Sequence, residues 1–111
     1  HKTAHEIKRL SDFFTHKGIR FIFLPIPNKE NIYHQDLGTA KPLFLEKLIV
    51  DLRQSGVEVA DAQKTFDEIT SKTSTPLYHR DDTHWNQAGV QAAARLIEDI
   101  LRDPPPQTII R

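Results

Sequence analysis

Residues 19–27 read Ile-Arg-Phe-Ile-Phe-Leu-Pro-Ile-Pro, a nearly continuous apolar and β-prone stretch that follows directly on Gly18. A short apolar run without alternating polar positions is typical of a strand buried on both faces, as in parallel sheets. Pro25 and Pro27 end the pairing because neither can donate a ladder hydrogen bond. The stretch therefore predicts an α/β fold. Residues 28–31 are predicted to form a loop at the strand's C-terminal end, where open α/β sheets bind their ligands.

Helical patterns lie on both sides of this strand. Apolar side chains at helical spacing before Gly18 and after Pro42 predict two amphipathic helices. Those of the first helix are Ile7, Leu10 and Phe14, and those of the second are Phe44, Leu45, Leu48, Ile49 and Leu52. A short strand is predicted over residues 57–61. Strand, crossover of roughly 30 residues and strand then form a right-handed βαβ unit.

The last third of the chain contains one weak and one strong helical pattern. In residues 63–76, Phe66 and Ile69 indicate no more than a helical turn. Asn86 is a favourable N-cap for a final helix with an apolar stripe, which we expect to pack on the sheet that holds Phe21 and Phe23. The main residues of this contact are expected to be Val90, Ala93, Ile97 and Leu101, and the stripe also contains Ala94 and Ile100.

The composition excludes several classes of function. The chain has 111 residues, in which 15 Lys and Arg balance 15 Asp and Glu. A neutral chain without a basic cluster lacks the electrostatic footprint of nucleic-acid binding. No apolar run approaches the roughly 18–20 residues that span a bilayer. The absence of Cys excludes disulfides and thiolate sites. One modest domain is the ceiling, and we expect a partial one, because both ends look cut from something longer.

The densest polar stretch is residues 78–86, Tyr-His-Arg-Asp-Asp-Thr-His-Trp-Asn, directly before the final helix. A catalytic histidine needs a carboxylate on one ring nitrogen, which leaves the other nitrogen free to take a proton from a hydroxyl nucleophile. Asp82 and His84 are close enough in sequence to supply that pair locally. Trp85 is expected to shield the imidazole from water, and Asn86 to begin the helix that fixes the loop.

The block Asp-Thr-His-Trp-Asn at 82–86, followed by Gly89 and an alanine-rich helix, resembles the last block of the SGNH hydrolase superfamily. It is most similar to the alginate O-acetyltransferase proteins and related polysaccharide-acetylation proteins, in which a Tyr such as Tyr78 usually precedes the block. Upstream, the strand that ends in Pro-Asn-Lys-Glu at 27–30 resembles the family's Pro-x-Lys segment. Residues 52–61 resemble its Leu-x-x-x-Gly-Val-x-x-x-Asp segment.

This resemblance implies an SGNH-like three-layer α/β sandwich with a mainly parallel sheet, of which residues 1–103 form a part. Residues 104–111 are then a Pro-rich tail or a connection to further chain. Asp82 would orient His84, the general base, in transfer of an acetyl group to polysaccharide hydroxyls or its hydrolysis from them. Such proteins act in the periplasm or elsewhere outside the cytoplasm, and membrane anchoring through further chain is compatible with this. The resemblance is compatible with delivery of the acetyl donor by a membrane acyl-transfer protein, and it implies no cofactor or metal.

The chain departs from the family in one respect, because it contains no Gly-Asp-Ser-type block. Ser11, Ser55, Ser71 and Ser74 all lack that context. The nucleophilic serine is therefore expected outside this chain, beyond Arg111 in the alginate-type order, and the chain alone is expected to be inactive.

Other interpretations of the loop stay open at this point. His79, Asp81, Asp82 and His84 are all residue types that bind zinc or manganese. A non-catalytic SGNH-like module that binds polysaccharide or a partner also fits the sequence. Lys29 either supports the site or is a solvated lysine, and Tyr78 either hydrogen-bonds in the site or packs under the loop.

Overall fold

The computed structural model describes residues 2–105. Its elements in chain order are α1 (Lys2–His16), β1 (Ile22–Phe23), α2 (Lys29–Tyr33), α3 (Phe44–Gln54), β2 (Glu58–Val59), α4 (Ala62–Lys72) and α5 (Gln87–Arg102). None of these helices is long and apolar enough to cross a membrane. Of the expected Pro-rich tail, residues 106–111 lie outside the described part.

The two strands confirm the parallel α/β arrangement. β1 and β2 pair in parallel, with Ile22 opposite Glu58 and Phe23 opposite Val59. The crossover between them contains α2 and α3, as the βαβ pattern predicts. The chain is therefore a mixed α/β structure with a small parallel sheet, consistent with part of an SGNH-like domain.

The prediction that the first strand is buried on both faces is wrong for the described residues. Regular pairing covers two residues on each strand, and the flanking Ile19 and Ile26 are more than half exposed. The reason is that β2 is the one strand that pairs with β1 in the described part of the chain. Apolar side chains that the sequence assigns to a sheet interior therefore remain in contact with solvent.

Within residues 2–105 the buried apolar side chains form two clusters. The first lies between α1, α3 and the strands, and its buried members are Ala4, Leu48, Ile49, Leu52, Val57 and Val59. The second lies between α2, α4 and α5, and its buried members are Ile32, Ala62, Phe66, Leu77 and Tyr78. The second cluster lies directly beneath the polar loop, so the loop rests on a packed base.

Two helices differ from the sequence prediction. Residues 28–31 were expected to form a loop, but α2 begins within them, and the backbone N–H of Asn31 donates to the carbonyl of Asn28 at 2.9 Å. α4 has 11 residues where a single turn was expected. Its N-cap is Asp61, whose carboxylate accepts the backbone N–H of Lys64 at 3.0 Å. Both helices contribute to the second cluster and so help to support the loop.

α5 begins at the predicted N-cap but packs through a different face. Its residues Ala88, Ala92 and Leu96, spaced four apart, contact the cluster around Phe66. Two of these three side chains are alanine, so the helix can lie close to α4. The expected contact of the apolar stripe with the sheet is wrong, since Val90 is 47% exposed and Leu101 is 57% exposed. Of the four leading residues, only Ala93 is buried, and Ile97 is half-buried.

The C-terminal end of α5 is joined to the strands by one arginine. Arg20 donates from Nε and Nη2 to the two carboxylate oxygens of Glu58, at 2.9 and 2.6 Å. The same guanidinium donates to the carbonyls of Ile100 and Asp103, at 3.2 and 2.7 Å. This planar group has the fork geometry that such a shared contact needs.

Candidate active site

The polar loop is closed by backbone contacts between its two ends. Tyr78 and Trp85 form an antiparallel bridge, and the backbone N–H of His79 donates to the carbonyl of His84 at 2.9 Å. The N–H of Asn86 donates to the carbonyl of Leu77 at 2.8 Å. The loop therefore projects from a short hairpin-like base.

Asp82 and His84 lie at the tip of this loop and contact each other. One carboxylate oxygen of Asp82, Oδ1, accepts the backbone N–H of His84 at 2.7 Å and lies 3.3 Å from its Nδ1. The second distance is close to the roughly 3.2 Å expected for an orienting contact. An aspartate on Nδ1 leaves the Nε2 atom of the imidazole available for proton transfer.

The pair is open to solvent and electrostatically coupled. The side chain of His84 is 80% exposed and that of Asp82 is 54% exposed. The backbone N–H of His84, and to a smaller extent its ring, holds the pKa of the Asp82 carboxyl below its ordinary value. The carboxylate is therefore the favoured form, as an orienting group requires.

Trp85 supports the loop but does not shield the imidazole, so that interpretation is wrong. Its ring is half-buried and packs on the second cluster, with its centroid 6.3 Å from that of Phe66. The backbone bridge to Tyr78 turns Trp85 toward the protein interior, whereas His84 remains exposed.

Asn86 caps α5 as predicted and also ties the loop together. Its Oδ1 accepts the backbone N–H of Gly89 at 3.0 Å, and its Nδ2 donates to the carbonyl of Pro76 at 2.8 Å. Gly89 is required by a close approach, because a Cβ at this position would overlap the carbonyl oxygen of Leu77. One asparagine and one glycine thus set where the helix begins relative to the loop.

Tyr78 packs beneath the loop. It is buried, and its hydroxyl donates to the carbonyl of Pro27 at the end of the β1 segment. Its ring meets those of Tyr33 and Phe66 edge to face. Burial raises the pKa of the Tyr78 hydroxyl well above its ordinary range, so the group stays protonated and continues to donate.

Lys29 reaches the loop from the first position of α2. Its Nζ donates to the carbonyls of His79, Arg80 and Asp82, at 2.8, 3.2 and 3.3 Å. Three donors on one ammonium thus meet three carbonyls of the segment that carries Asp82. The side chain therefore joins α2 to the loop that carries Asp82 instead of extending into solvent.

No serine hydroxyl hydrogen-bonds to His84 among residues 2–105. Ser55 and Ser71 instead donate to the carbonyls of Asp51 and Glu68 within their own helical segments, and Ser11 is buried in α1. Across the same residues, no group of three or more His, Asp or Glu side chains is arranged to hold a metal ion.

The parallel strands and the Asp-x-His pair at the entrance to a helix are the features by which the chain resembles the SGNH hydrolase-like class. The family model described as "SGNH hydrolase-like domain, acetyltransferase AlgX" matches residues 1–109, so the chain belongs to this family. The alginate biosynthesis protein AlgX of Pseudomonas aeruginosa is 24% identical over 109 residues, covering 90% of this chain. No solved structure matches the chain.

The chain spans 22% of the length of that relative. Family membership identifies an SGNH hydrolase-like domain, and the activity of the whole protein and the roles of individual residues are separate questions.

Proposed function

We propose that this chain supplies the acid–base pair of a serine-dependent acetyl transfer to polysaccharide hydroxyls, with the nucleophilic serine outside the chain. The observation that carries the proposal is the double contact of one Asp82 oxygen with the N–H and Nδ1 of His84. Membership in the SGNH hydrolase-like acetyltransferase family supports the same chemistry.

Nε2 of His84 takes the proton of the serine hydroxyl while the serine oxygen bonds to the acetyl carbonyl carbon. Collapse of the tetrahedral intermediate expels the donor's oxygen with the proton from His84, leaving an acetyl-serine. A sugar hydroxyl then gives its proton to His84 and takes the acetyl group, which restores the serine. If water takes the place of the sugar hydroxyl, the acetyl group is hydrolysed and the protein acts as an esterase.

The other residues support the pair in our proposal. Lys29 holds the loop carbonyls, Tyr78 and Trp85 anchor the loop on the second cluster, and Asn86 joins it to α5. None of these four is assigned a proton-transfer step.

We further propose that the parent protein acts outside the cytoplasm, in the periplasm, on a polysaccharide acceptor, with acetyl groups supplied by a membrane acyl-transfer protein. Residues 1–103 would be one part of its SGNH-like domain, and residues 104–111 a connection. The name of the relative, an alginate biosynthesis protein, supports a polysaccharide acceptor.

Turnover of an activated acetyl ester by the full-length protein tests the proposal. We expect His84→Ala to lower turnover by on the order of 10³-fold or more, and Asp82→Asn to be severely impaired. His5→Ala, an exposed histidine on α1, is the matched control and should leave turnover unchanged. The exposed loop position predicts that none of the three variants unfolds and that their melting temperatures change little. Full activity in His84→Ala would remove the pair from the mechanism.

A non-catalytic polysaccharide-binding module is the second candidate. The observation in its favour is the exposure of the pair, since 80% of the His84 side chain is open to solvent. It predicts that the full-length protein binds polysaccharide but does not turn over acetyl esters.

A further inference from the structure

The short helix α2 holds the polar loop at its tip and at its base. At the tip, Nζ of Lys29 donates to three loop carbonyls, the nearest of which is that of His79 at 2.8 Å. At the base, the hydroxyl of Tyr33 accepts the backbone N–H of Leu77 at 3.2 Å. The position of the loop therefore depends on the position of α2.

This helix needs outside contacts to fix its own position. It has five residues, little more than one turn, and helices of that length are not stable by themselves in water. Its N-cap residue, Asn28, makes no side-chain capping hydrogen bond. Contacts with other elements must therefore fix both the place of α2 and its rotation about its own axis.

A buried pair of amides joins α2 to α4 and α3. Asn31 on α2 and Gln63 on α4 are each 4% exposed. Nδ2 of Asn31 donates to Oε1 of Gln63 at 3.1 Å, and Nε2 of Gln63 donates to Oε1 of Glu46, on α3, at 3.2 Å. The Glu46 carboxylate also pairs with Lys41 at 3.0 Å. One directed row of hydrogen bonds thus connects three helices.

The polar character of this contact sets the orientation of α2. Burial of two amides contributes no more stability than burial of two apolar side chains of the same shape. A buried polar pair differs in that it favours one arrangement, because a displacement leaves an amide without its partner. On α2, Ile32 supplies the apolar contact with the second cluster, and the neighbouring Asn31 supplies a directed one.

We propose that Asn31 and Gln63 are positioning residues for the Asp82–His84 pair and act on it through α2 and Lys29. The inference rests on the proposed function, because the pair needs a fixed orientation only if His84 transfers a proton. Without the amide contact α2 can shift or rotate. Its lysine then meets the loop carbonyls less often, and the pair spends less time in the geometry that reacts.

Acetyl-ester turnover and carbon-13 titration of the Asp82 carboxyl in the full-length protein test the proposal. Asn31→Leu keeps the approximate size of the side chain but removes its donor. We expect kcat to fall by about 10-fold or more with little change in KM. The Asp82 midpoint should move toward that of a peptide of residues 78–86, because a looser loop weakens the contacts of the carboxylate.

A double-variant cycle tests the route through Lys29. In a Lys29→Met background, Asn31→Leu should lower kcat only slightly further, because the link on which it acts is already lost. Equal fractional losses of kcat in the wild-type and Lys29→Met backgrounds would overturn the proposal.

A control of similar stability separates positioning from folding. Val57→Ala creates a small cavity in the first cluster, to which α2 and the loop do not belong, and should lower the melting temperature. It should leave the Asp82 midpoint and kcat per folded molecule unchanged. If Val57→Ala and Asn31→Leu shift the midpoint and kcat equally, the amides only stabilise the fold and the proposal fails.

The double variant Asn31→Leu/Gln63→Met replaces both amides by apolar side chains of similar size. It also serves if Asn31→Leu alone does not fold, because it leaves neither amide of the pair buried without its partner. Its kcat should stay about 10-fold or more below that of the wild type, since apolar packing does not restore the direction of the contact. Recovery of wild-type kcat in the double variant would overturn the proposal.

The catalytic proposal can fail separately. If His84→Ala keeps its turnover while Asn31→Leu still shifts the Asp82 midpoint, the catalytic role of the pair fails and the positioning of the loop by Asn31 stands.

Discussion

One carboxylate oxygen of Asp82 contacts His84 twice, through the backbone N–H at 2.7 Å and the ring Nδ1 at 3.3 Å. The backbone contact sets the turn of the loop, and the ring contact sets the direction of the imidazole. The same carboxylate oxygen makes both contacts. The ionisation of Asp82 therefore affects the conformation of the loop and the orientation of the His84 ring together.

This coupling predicts a pH dependence of the loop. The pKa of Asp82 is lowered in the folded protein. The contribution of its carboxylate to the stability of the folded loop is therefore present above the pKa of the unfolded state. That contribution is lost as the pH falls through the folded pKa. Carbon-13 titration of the Asp82 carboxyl should give a lower midpoint in the protein than in a peptide of residues 78–86. The His84→Ala variant keeps the backbone N–H donor, so its Asp82 midpoint should fall between those of the wild-type protein and the peptide. Equal midpoints in protein and peptide would contradict the double contact.

Tyr78→Phe separates support of the loop from chemistry. The change leaves the buried carbonyl of Pro27 without its donor, and we expect a loss of about 1–3 kcal/mol in the free energy of unfolding. Because the proposed mechanism assigns Tyr78 no proton transfer, turnover per folded molecule should stay within a few-fold of the wild type. Chemical denaturation and acetyl-ester turnover on the full-length protein measure the two effects. A large loss of turnover at unchanged stability would instead assign Tyr78 a place in the reaction.

Gly89→Ala tests the close approach between α5 and the loop base. Alanine in a helix is ordinarily better than glycine by roughly 1 kcal/mol. Here the added methyl group meets the carbonyl oxygen of Leu77, which is backbone and cannot move aside cheaply. We expect a net destabilisation of about 1–3 kcal/mol, as in an overpacked core. Gln91→Ala, exposed on the same helix, is the control. A higher melting temperature for Gly89→Ala would show that the loop base yields easily.

Local patterns in the sequence predicted much of this structure. Residues 19–27 indicated the parallel strand, and Asn86 indicated where α5 begins, because both depend on neighbours in the chain. The Asp82–His84 contact was predictable for the same reason, since two residues in a loop can meet without any help from the rest of the fold.

Features that depend on distant partners were missed. The apolar pattern of α4 was obscured because one of its buried positions is a polar residue, Gln63. Its side chain accepts a hydrogen bond from Asn31 at 3.1 Å and donates one to Glu46 at 3.2 Å. The packed face of α5 is rich in alanine and glycine, so hydropathy favoured its larger exposed residues. The role of Lys29 depends on carbonyls 50 to 53 residues away, which no local pattern contains. Two signals singled it out: the Pro-x-Lys resemblance and its position at the C-terminal end of the strand.

Lys29→Met tests whether that lysine positions the site. Methionine keeps most of the aliphatic length but removes every donor to the carbonyls of His79, Arg80 and Asp82. We expect the loop to become more mobile, seen as faster amide exchange at residues 79–84. In the full-length protein kcat should fall by about 10-fold or more, with little change in KM for a small acetyl ester, because displaced catalytic groups lose rate before binding.

Lys47→Met is the matched control for this variant, since Lys47 is an exposed lysine on α3. It should leave amide exchange and kcat unchanged. Lys29→Met should also move the titration midpoint of Asp82 toward that of the free peptide, because a looser loop brings the backbone N–H of His84 less often to the carboxylate. A merely stabilising lysine would lower the melting temperature and leave both the midpoint and kcat per folded molecule as they are. That combination would show that Lys29 only stabilises the fold. A shifted midpoint together with a lower kcat would identify Lys29 as the residue that positions the Asp82–His84 pair.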